Sequence, residues 1–402
     1  MICQFSFSNY KSYRDETIFD FQASKISEFS ESLIRAEGES GLLPVSVIYG
    51  PNGGGKSNLL AALGSVISLV VSPVVELDKN RNRFVIQQRP SLSPYLFDEG
   101  SREEPTSFEI YFRTKGNEFR YRLAVRNGVV FSESLYRKSL GAKRPAKIFE
   151  REGDAISVGY GIRMSGINVN VNSRMPYLSF LAINYSLDVI SEVMDWFESC
   201  IFRNYGNPMA ERQILLAENE VTKESFINMM NALGIEITGY RYDEARDEFW
   251  LQRTINGQVY ELPFANESDG TKKLFAAVPV ILLAITEGRL LIIDELDAKL
   301  HPLLLRNIIK LFTNPQINLN GAQLLFTSHD MTTMKNTVFR RDEIWFAAMG
   351  QGNASEIYSL YEIRKEDNER VKNTAAYDKQ YLEGRYQADP YLKRMLNWED
   401  MR

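Results

Sequence analysis

Gly50-Pro51-Asn52-Gly53-Gly54-Gly55-Lys56-Ser57 fits G-x-x-x-x-G-K-[ST] at every required position. Before it, Val45-Ser46-Val47-Ile48-Tyr49 reads as a buried strand; after it, Asn58-Leu59-Leu60-Ala61-Ala62-Leu63 reads as the opening turns of a helix. Strand, glycine loop and helix together form a phosphate cradle. Backbone N–H groups must converge on phosphate oxygens, so side chains must be absent where the chain wraps the anion, and Gly53, Gly54 and Gly55 meet that need. The helix start adds free N–H donors and the positive end of its dipole. The expected nucleotide contacts run from Asn52 to Asn58, with Lys56 reaching the β- and γ-phosphates and the Ser57 hydroxyl ligating Mg²⁺. A plain glycine-rich turn before an ordinary helix is the competing reading, and it would leave the flanking strand and helix to coincidence.

A second stretch supplies the acids such a site needs. Leu290-Leu291-Ile292-Ile293 is an unbroken aliphatic run ending in Asp294-Glu295, as in a parallel strand buried on both faces. Acids at the carboxyl end of such a strand stand where α/β folds bind ligands. Asp294 is expected to hold Mg²⁺ through water, and Glu295 to polarise the attacking water. Upstream, Glu267-Ser268-Asp269-Gly270-Thr271-Lys272-Lys273 precedes an apolar helix over 274–285, and Ser268 with Gly270 at its start makes a second anion site. Downstream, Gln323-Leu324-Leu325-Phe326-Thr327-Ser328-His329-Asp330 is another buried strand ending in polar residues. The chain has two histidines. His329 is placed to hydrogen-bond a γ-phosphate, whereas His301, before Pro302, reads as structural.

The 402 residues carry a net charge of −5, which argues against nonspecific nucleic-acid binding by the molecule as a whole. Cys3 and Cys200 are the only cysteines, pointing to a reducing compartment without a disulfide or cysteine–metal framework. The amino terminus lacks the basic start and apolar run of a signal peptide. The apolar stretch 59–75 reads as a buried helix rather than a membrane span, because it is slightly short, carries Ser65, Ser68, Ser72 and Pro73, and begins at the phosphate loop. These features place the protein in the cytoplasm, away from membranes.

The periodicities give an α/β chain: a mixed, mainly parallel sheet bearing the phosphate loop, an antiparallel β-subdomain and a helical insertion. Residues 1–23 read as two strands joined by the polar turn Asn9-Tyr10-Lys11-Ser12-Tyr13, and 76–104 as a long surface loop in which Gln87-Gln88 reads as a solvated pair, with a Mg²⁺-sensing glutamine as the alternative. Alternation over 107–112, 118–125 and 128–136, with Gly116-Asn117 and Asn127-Gly128 as turns, predicts antiparallel hairpins. Helical spacing covers 178–197 and 223–233, stopped by Gly234, and 240–262 returns to strands around Asn256-Gly257. The expected division is 1–138, an insertion over 139–244 that is mainly helical from 173, and 245–402.

The order of phosphate loop, Ser-x-Gly helix start, acidic strand and histidine-ended strand resembles that of ABC-type ATPases. Phe7-Ser8-Asn9-Tyr10-Lys11-Ser12-Tyr13 is similar to the opening of the SMC and RecF branch. Asp294-Glu295-Leu296-Asp297-Ala298-Lys299-Leu300-His301-Pro302, Thr327-Ser328-His329-Asp330, Arg341-Asp342-Glu343-Ile344-Trp345-Phe346 and Tyr381-Leu382-Glu383-Gly384-Arg385-Tyr386 resemble the compact AAA/ABC-like ATPases of bacterial abortive-infection and phage-defence operons. The sequence departs from these patterns in two places: Ser268-Asp269-Gly270-Thr271 stands where transporters have Ser-Gly-Gly-Gln, and Tyr386-Gln387 where near relatives have Tyr-Gly.

The resemblance implies ATP and Mg²⁺ as cofactors, Glu295 and His329 as catalytic residues, and Lys11 and Ser12 beside the nucleotide. It also implies a homodimer or higher oligomer in which Ser268 and Gly270 of one copy face the nucleotide of another. Too few residues follow Trp345-Phe346 for a Toprim nuclease domain, and its Asp-x-Asp pair is missing. Any effector, a nuclease for instance, is therefore expected on a separate chain, with nucleic acid or a phage component as trigger. A RecF-like DNA-repair ATPase is the alternative, with Arg137-Lys138-Ser139-Leu140-Gly141-Ala142-Lys143-Arg144 and Lys147 as its candidate basic surface. A nucleotide-gated structural module with little turnover is a third reading.

Overall fold

The computed structural model describes residues 1–36, 39–77, 92–162, 166–204, 215–216, 222–350, 352–364 and 368–388. Strands β1 (Ile2–Ser8) and β2 (Thr17–Asp20) form the expected amino-terminal hairpin. Next come β3 (Val45–Tyr49), the phosphate loop and α1 (Lys56–Leu77). The expected loop over 76–104 contains a short helix, α2 (Glu99–Glu103), because Asp98 caps it by accepting from the Ser101 amide. Gln87 and Gln88 lie outside the described residues.

Five antiparallel strands follow: β4 (Thr106–Thr114), β5 (Asn117–Arg126), β6 (Val129–Ser139), β7 (Ala146–Glu152) and β8 (Ala155–Val158). They extend the first hairpin into a seven-stranded sheet ordered β2-β1-β4-β5-β6-β7-β8. The 138/139 boundary read from the sequence therefore falls inside this sheet, since β6 and β7 are hydrogen-bonded neighbours. Asn127 and Gly128 both adopt positive φ, 51° and 75°, as a two-residue hairpin turn requires. In the preceding hairpin the turn pair is Lys115-Gly116, at 43° and 79°, one residue earlier than expected; Asn117 already pairs within β5.

The helical stretch is broken into α3 (Tyr177–Asn184) and α4 (Asp188–Ser199), after which β9 (Ile201–Asn204) joins the central sheet beside the acidic strand. The insertion, expected to be mainly helical here, thus contributes a strand to the central sheet. Helix α5 (Lys223–Ala232) leads to β10 (Gly239–Asp243), β11 (Glu248–Ile255) and β12 (Gln258–Pro263), a separate three-stranded sheet. Then come α6 (Asp269–Glu287), β13 (Leu290–Asp294), α7 (Pro302–Thr313), β14 (Gln323–Thr327), β15 (Ile344–Met349), β16 (Ser355–Ser359) and α8 (Tyr377–Leu382). Gln387, where near relatives were expected to carry glycine, has φ 60°. The left-handed turn that glycine would favour is kept by glutamine.

The central sheet runs β16-β15-β3-β14-β13-β9, parallel except for β16. Its strands are buried on both faces, and the two-residue period sorts their side chains. Ile48, Leu290, Ile292 and Leu325 face one core; Val47, Tyr49, Leu291, Ile293, Leu324 and Phe326 face the other. The first core lies between the two large sheets and is filled by α1, α3 and α4, the second by α5, α6 and α7 with the three-stranded sheet. Among the described residues one helix, α1, is long and apolar enough to cross a membrane, but it is mostly buried between the sheets. Cys3 and Cys200 are buried free thiols, and burial pushes both up to about 12.

Gln323, 1% exposed, ties the two large sheets together. Its Oε1 accepts from the Ile2 amide at 2.6 Å, while its Nε2 donates to the Ile2 and Leu43 carbonyls at 3.1 Å each. Leaving a buried polar group without its partner costs about 1–3 kcal/mol. Gln323→Leu, which keeps the volume but none of the bonds, is expected to lower unfolding stability by at least ~2 kcal/mol. An unchanged denaturant midpoint would show that these bonds are dispensable.

Candidate functional site

Parallel register brings three strand ends level. Thr327 of β14 pairs with Ile48 of β3, and Phe326 pairs with Ile293 of β13. The phosphate loop, the Ser328-His329 segment and Asp294-Glu295 therefore leave the same edge of the sheet, with β14 in the middle.

The loop's glycines have separate jobs. A Cβ on Gly50 would lie 2.0 Å, and one on Gly54 2.5 Å, from the Ala347 carbonyl oxygen of β15. One on Gly55 would lie 2.5 Å from Ser355 Oγ and 2.9 Å from the Tyr13 hydroxyl. Gly54 and Gly55 are thus demanded by packing against the protein as well as by an anion. Gly53 meets nothing within 4 Å but has φ 79°, and it lies exposed beside Asn52. Lys56, 6% exposed, donates from Nζ to the carbonyls of Gly50 at 2.8 Å and Pro51 at 3.1 Å. Burial lowers its pKa, opposed by Asp294, Glu295 and Asp297. This cation, held by neutral carbonyls, has an ionic phosphate as its stronger natural acceptor.

The amino-terminal turn closes the loop from the other side. Tyr10 and Tyr13 exchange backbone bonds, and the Tyr13 hydroxyl donates to the Gly55 carbonyl at 3.2 Å. The Ser12 Oγ receives bonds from Asn58 Nδ2 and Ser355 Oγ, each 2.8 Å. Lys11 sits at this turn with φ 50°, its ammonium 5.4 Å from the Tyr10 ring centroid. Tyr13 contacts the loop, and Tyr10 and Ser12 contact α1. Sequence reading singled out Lys11 and Ser12 and passed over Tyr13, although the signal, a Tyr-x-x-Tyr spacing that closes a tight turn, was present.

Thr327 holds the Asp294 carboxylate and the Glu295 main chain. Thr327 Oγ1 donates to Asp294 Oδ1 at 2.6 Å and accepts from the Glu295 amide at 2.7 Å. Glu295 takes a left-handed φ of 51°, and its side chain is 60% exposed. His329 Nε2 stands 3.9 Å from Glu295 Oε1, and the His329 amide donates to Asp297 Oδ2 at 3.0 Å. His301 caps α7 by accepting the Leu303 amide at Nδ1, the structural role expected of it.

Ser268 caps α6, its Oγ accepting the Thr271 amide at 3.1 Å, and a Cβ on Gly270 would lie 3.2 Å from the Lys299 carbonyl. Among the described residues no hydrogen bond or ion pair joins Ser268 or Gly270 to residues 50–57 of the same chain. The structure brings together the phosphate loop, Asp294, Glu295 and His329, and seats the Ser268–Gly270 helix start against the loop that follows Glu295.

The site suits a Mg²⁺-bound nucleoside triphosphate. The glycine cradle is shaped by contacts that exclude side chains, one buried cation stands in it, and hydroxyl and carboxylate oxygens are the donor set that Mg²⁺ prefers. Ser57 and Asp294 would hold the ion, which neutralises phosphate charge when bound. Asn52, Gly53, Gly54, Gly55, Lys56 and Asn58 would frame the phosphates of a bound nucleotide, and Glu295 presents an exposed carboxylate at the same sheet edge.

No curated protein matches the chain. Among solved structures it is similar to the SMC head domain from Thermotoga maritima, with 14% identity, a TM-score of 0.43, and coverage of 89% of this chain and 98% of that one. It is similar to the SmcHead bound to the C-winged helix domain of ScpA, with 14% identity, a TM-score of 0.45, and coverage of 89% and 97%. A third is the Smc head domain with an extended coiled coil bound to the C-terminal domain of ScpA derived from Pyrococcus furiosus, with 13% identity, a TM-score of 0.43, and coverage of 89% and 96%. A family model described as "AAA domain, putative AbiEii toxin, Type IV TA system" matches residues 45–157 and 208–335, more than half of the sequence and both halves of the site. The chain belongs to this family of AAA-domain, P-loop ATPases.

Proposed function

We propose that the chain binds and slowly hydrolyses ATP with Mg²⁺ as the sensor or scaffold subunit of an anti-phage defence complex. In this reading it assembles with further copies of itself in the cytoplasm and controls a separate effector protein. The observation that carries the ATPase reading is the meeting of Lys56, Asp294, Glu295 and His329 at one edge of a parallel sheet. The defence reading is supported by the toxin–antitoxin setting named in the family description and by the abortive-infection-like motifs from Asp294 to Tyr386. The RecF-like alternative is weakened because the basic segment is partly neutralised. Lys138 pairs with Glu118 at 2.8 Å and Lys147 with Glu150 at 3.0 Å. Co-purification with the product of the neighbouring gene, stronger with ATP, tests the scaffold role. Salt-sensitive DNA binding with no protein partner would favour the repair reading.

Lys56→Ala is expected to abolish ATP binding and turnover while the protein keeps its circular-dichroism spectrum. Normal affinity in a binding titration would move the nucleotide site elsewhere.

Glu295→Gln is expected to keep ATP binding but to lose turnover by ~10²–10⁴-fold, the usual cost of removing a general base. Single-turnover hydrolysis at the wild-type rate would transfer the role, with Asp297 as the next carboxylate along the loop.

One chain carries one phosphate loop and one Ser268–Gly270 helix start, and among the described residues no hydrogen bond or ion pair joins them. If each nucleotide is held between copies, mixing Lys56→Ala with Ser268→Arg gives mixed dimers in which one site carries both defects and the other carries neither. Partial recovery of ATPase activity is the expected outcome. Mixed dimers that form, as shown by differential tagging, yet stay inactive would favour a self-contained pocket.

A further inference from the structure

Resting on the reading of Glu295 as general base, we propose that Lys273 is a positioning residue: it couples the start of helix α6 to Glu295 by holding the Glu295 main chain in the conformation that presents the carboxylate. Glu295 is a non-glycine residue at φ 51°, a backbone state that needs outside support. Two side chains from different elements grip its peptide groups. Thr327 Oγ1 of β14 accepts the amide N–H at 2.7 Å, and Lys273 Nζ of α6 donates to the carbonyl oxygen at 2.7 Å.

Lys273 differs from its cationic neighbours. Lys272 is bonded to the Ala265 carbonyl at the surface, and Lys299 forms an exposed pair with Asp269. Lys273 is 7% exposed, and its burial lowers its pKa to about 8 against the opposing pull of Asp297 and Glu295. A desolvated ammonium is a costly way to fill a core position, so its presence fits a task beyond stability.

The lever is short. Lys273 lies five residues after Ser268 on one continuous helix, about one and a half turns. The same helix start touches the far end of the acidic loop through Gly270 and the Lys299 carbonyl. An anion or a second copy that shifts Ser268 and Gly270 would move Lys273 with them, and the Glu295 peptide would follow. Occupancy at the helix start would thus be read at the carboxylate without a contact between Ser268 and Glu295.

The test measures ATP affinity, kcat and thermal midpoint for full-length Lys273→Met and Lys273→Arg, each alone and combined with Glu295→Gln. Lys273→Met is expected to melt no lower than wild type and to bind ATP within about twofold. Its kcat should fall by ~10–10²-fold, the scale of a misplaced catalytic group. Lys273→Arg, which keeps a long cationic donor, should recover much of that loss. In the Glu295→Gln background Lys273→Met should have no further effect, because the lysine acts through the glutamate. Should the methionine variant fail to fold, Lys273→Gln, which falls short of the Glu295 carbonyl, is read in the same way. Wild-type kcat in the folded variant, beside an inactive Glu295→Gln, overturns the inference while leaving the base assignment standing. A second drop of equal size in the Glu295→Gln background also overturns it. Wild-type turnover in Glu295→Gln itself overturns the base assignment.

Discussion

The hydroxyl of Thr327 is the fixed point of the site. It has one proton to give and gives it to Asp294, while its oxygen accepts the Glu295 amide. Both acids are therefore referenced to β14 rather than only to the end of their own strand. Because β14 lies between β3 and β13, this also sets their distance from the phosphate loop at two strand spacings, about 10 Å. The Ser328 amide donates to the Ile48 carbonyl at 3.1 Å and continues the clamp towards β3. Without the parallel register the hydroxyl would face a different residue. Without the hydroxyl, Asp294 would lose its fixed orientation and Glu295 one of the three bonds to its peptide groups, the others being those its carbonyl accepts from Lys273 and from the Ala298 amide.

The phosphate loop is built in the same spirit, from contacts on its back as much as from openness at its front. The Ala347 carbonyl fills the space where Gly50 and Gly54 would carry Cβ atoms, so the loop is pressed onto β15. A preformed cradle binds without first ordering its chain, which is the physical advantage of such packing. Lys56 is stored inside on the loop's own carbonyls, leaving the burial cost of the ammonium partly compensated until a stronger acceptor arrives.

What was legible in the sequence was what is spelled locally. The glycine loop sits between a strand and a helix, the four aliphatics before Asp294 form a doubly buried strand, and Asn127-Gly128 and Asn256-Gly257 turn with both residues at positive φ. What was missed depends on partners far along the chain. Strand β9 is only Ile201–Asn204, too short to show a period, and it is a strand because β13 offers it an edge. The Ser12–Ser355 bond joins residues 343 positions apart. Lys273 reads as one of two ordinary basic residues in a helix, and only the acidic loop folding beneath α6 distinguishes it from Lys272. The turn at Lys115-Gly116 was misplaced by one residue because Gly116-Asn117 carries the same turn-forming residue types.

The turn between β1 and β2 shows how the two large sheets are made to act together. Strand β1 belongs to the antiparallel sheet, yet the Ser12 carbonyl accepts the amide of Ser355 in the central sheet at 2.7 Å, and the Ser12 hydroxyl accepts from Asn58 in α1. Tyr10, fully buried, shares a hydrogen bond with Ser65, about two turns beyond Asn58 on the same face of that helix. Asn9 reaches the other way: its Nδ2 donates to the Ser101 and Glu104 carbonyls on either side of the end of α2, and its Oδ1 accepts the Tyr95 amide. Five consecutive residues thus tie the phosphate loop, the helix that leaves it, the central sheet and the entrance to the antiparallel sheet into one hydrogen-bonded unit. A load applied to the antiparallel sheet is one turn of chain from Gly55. A change at Gly55 is equally close to that sheet, because the groups between them are buried, paired and close-packed.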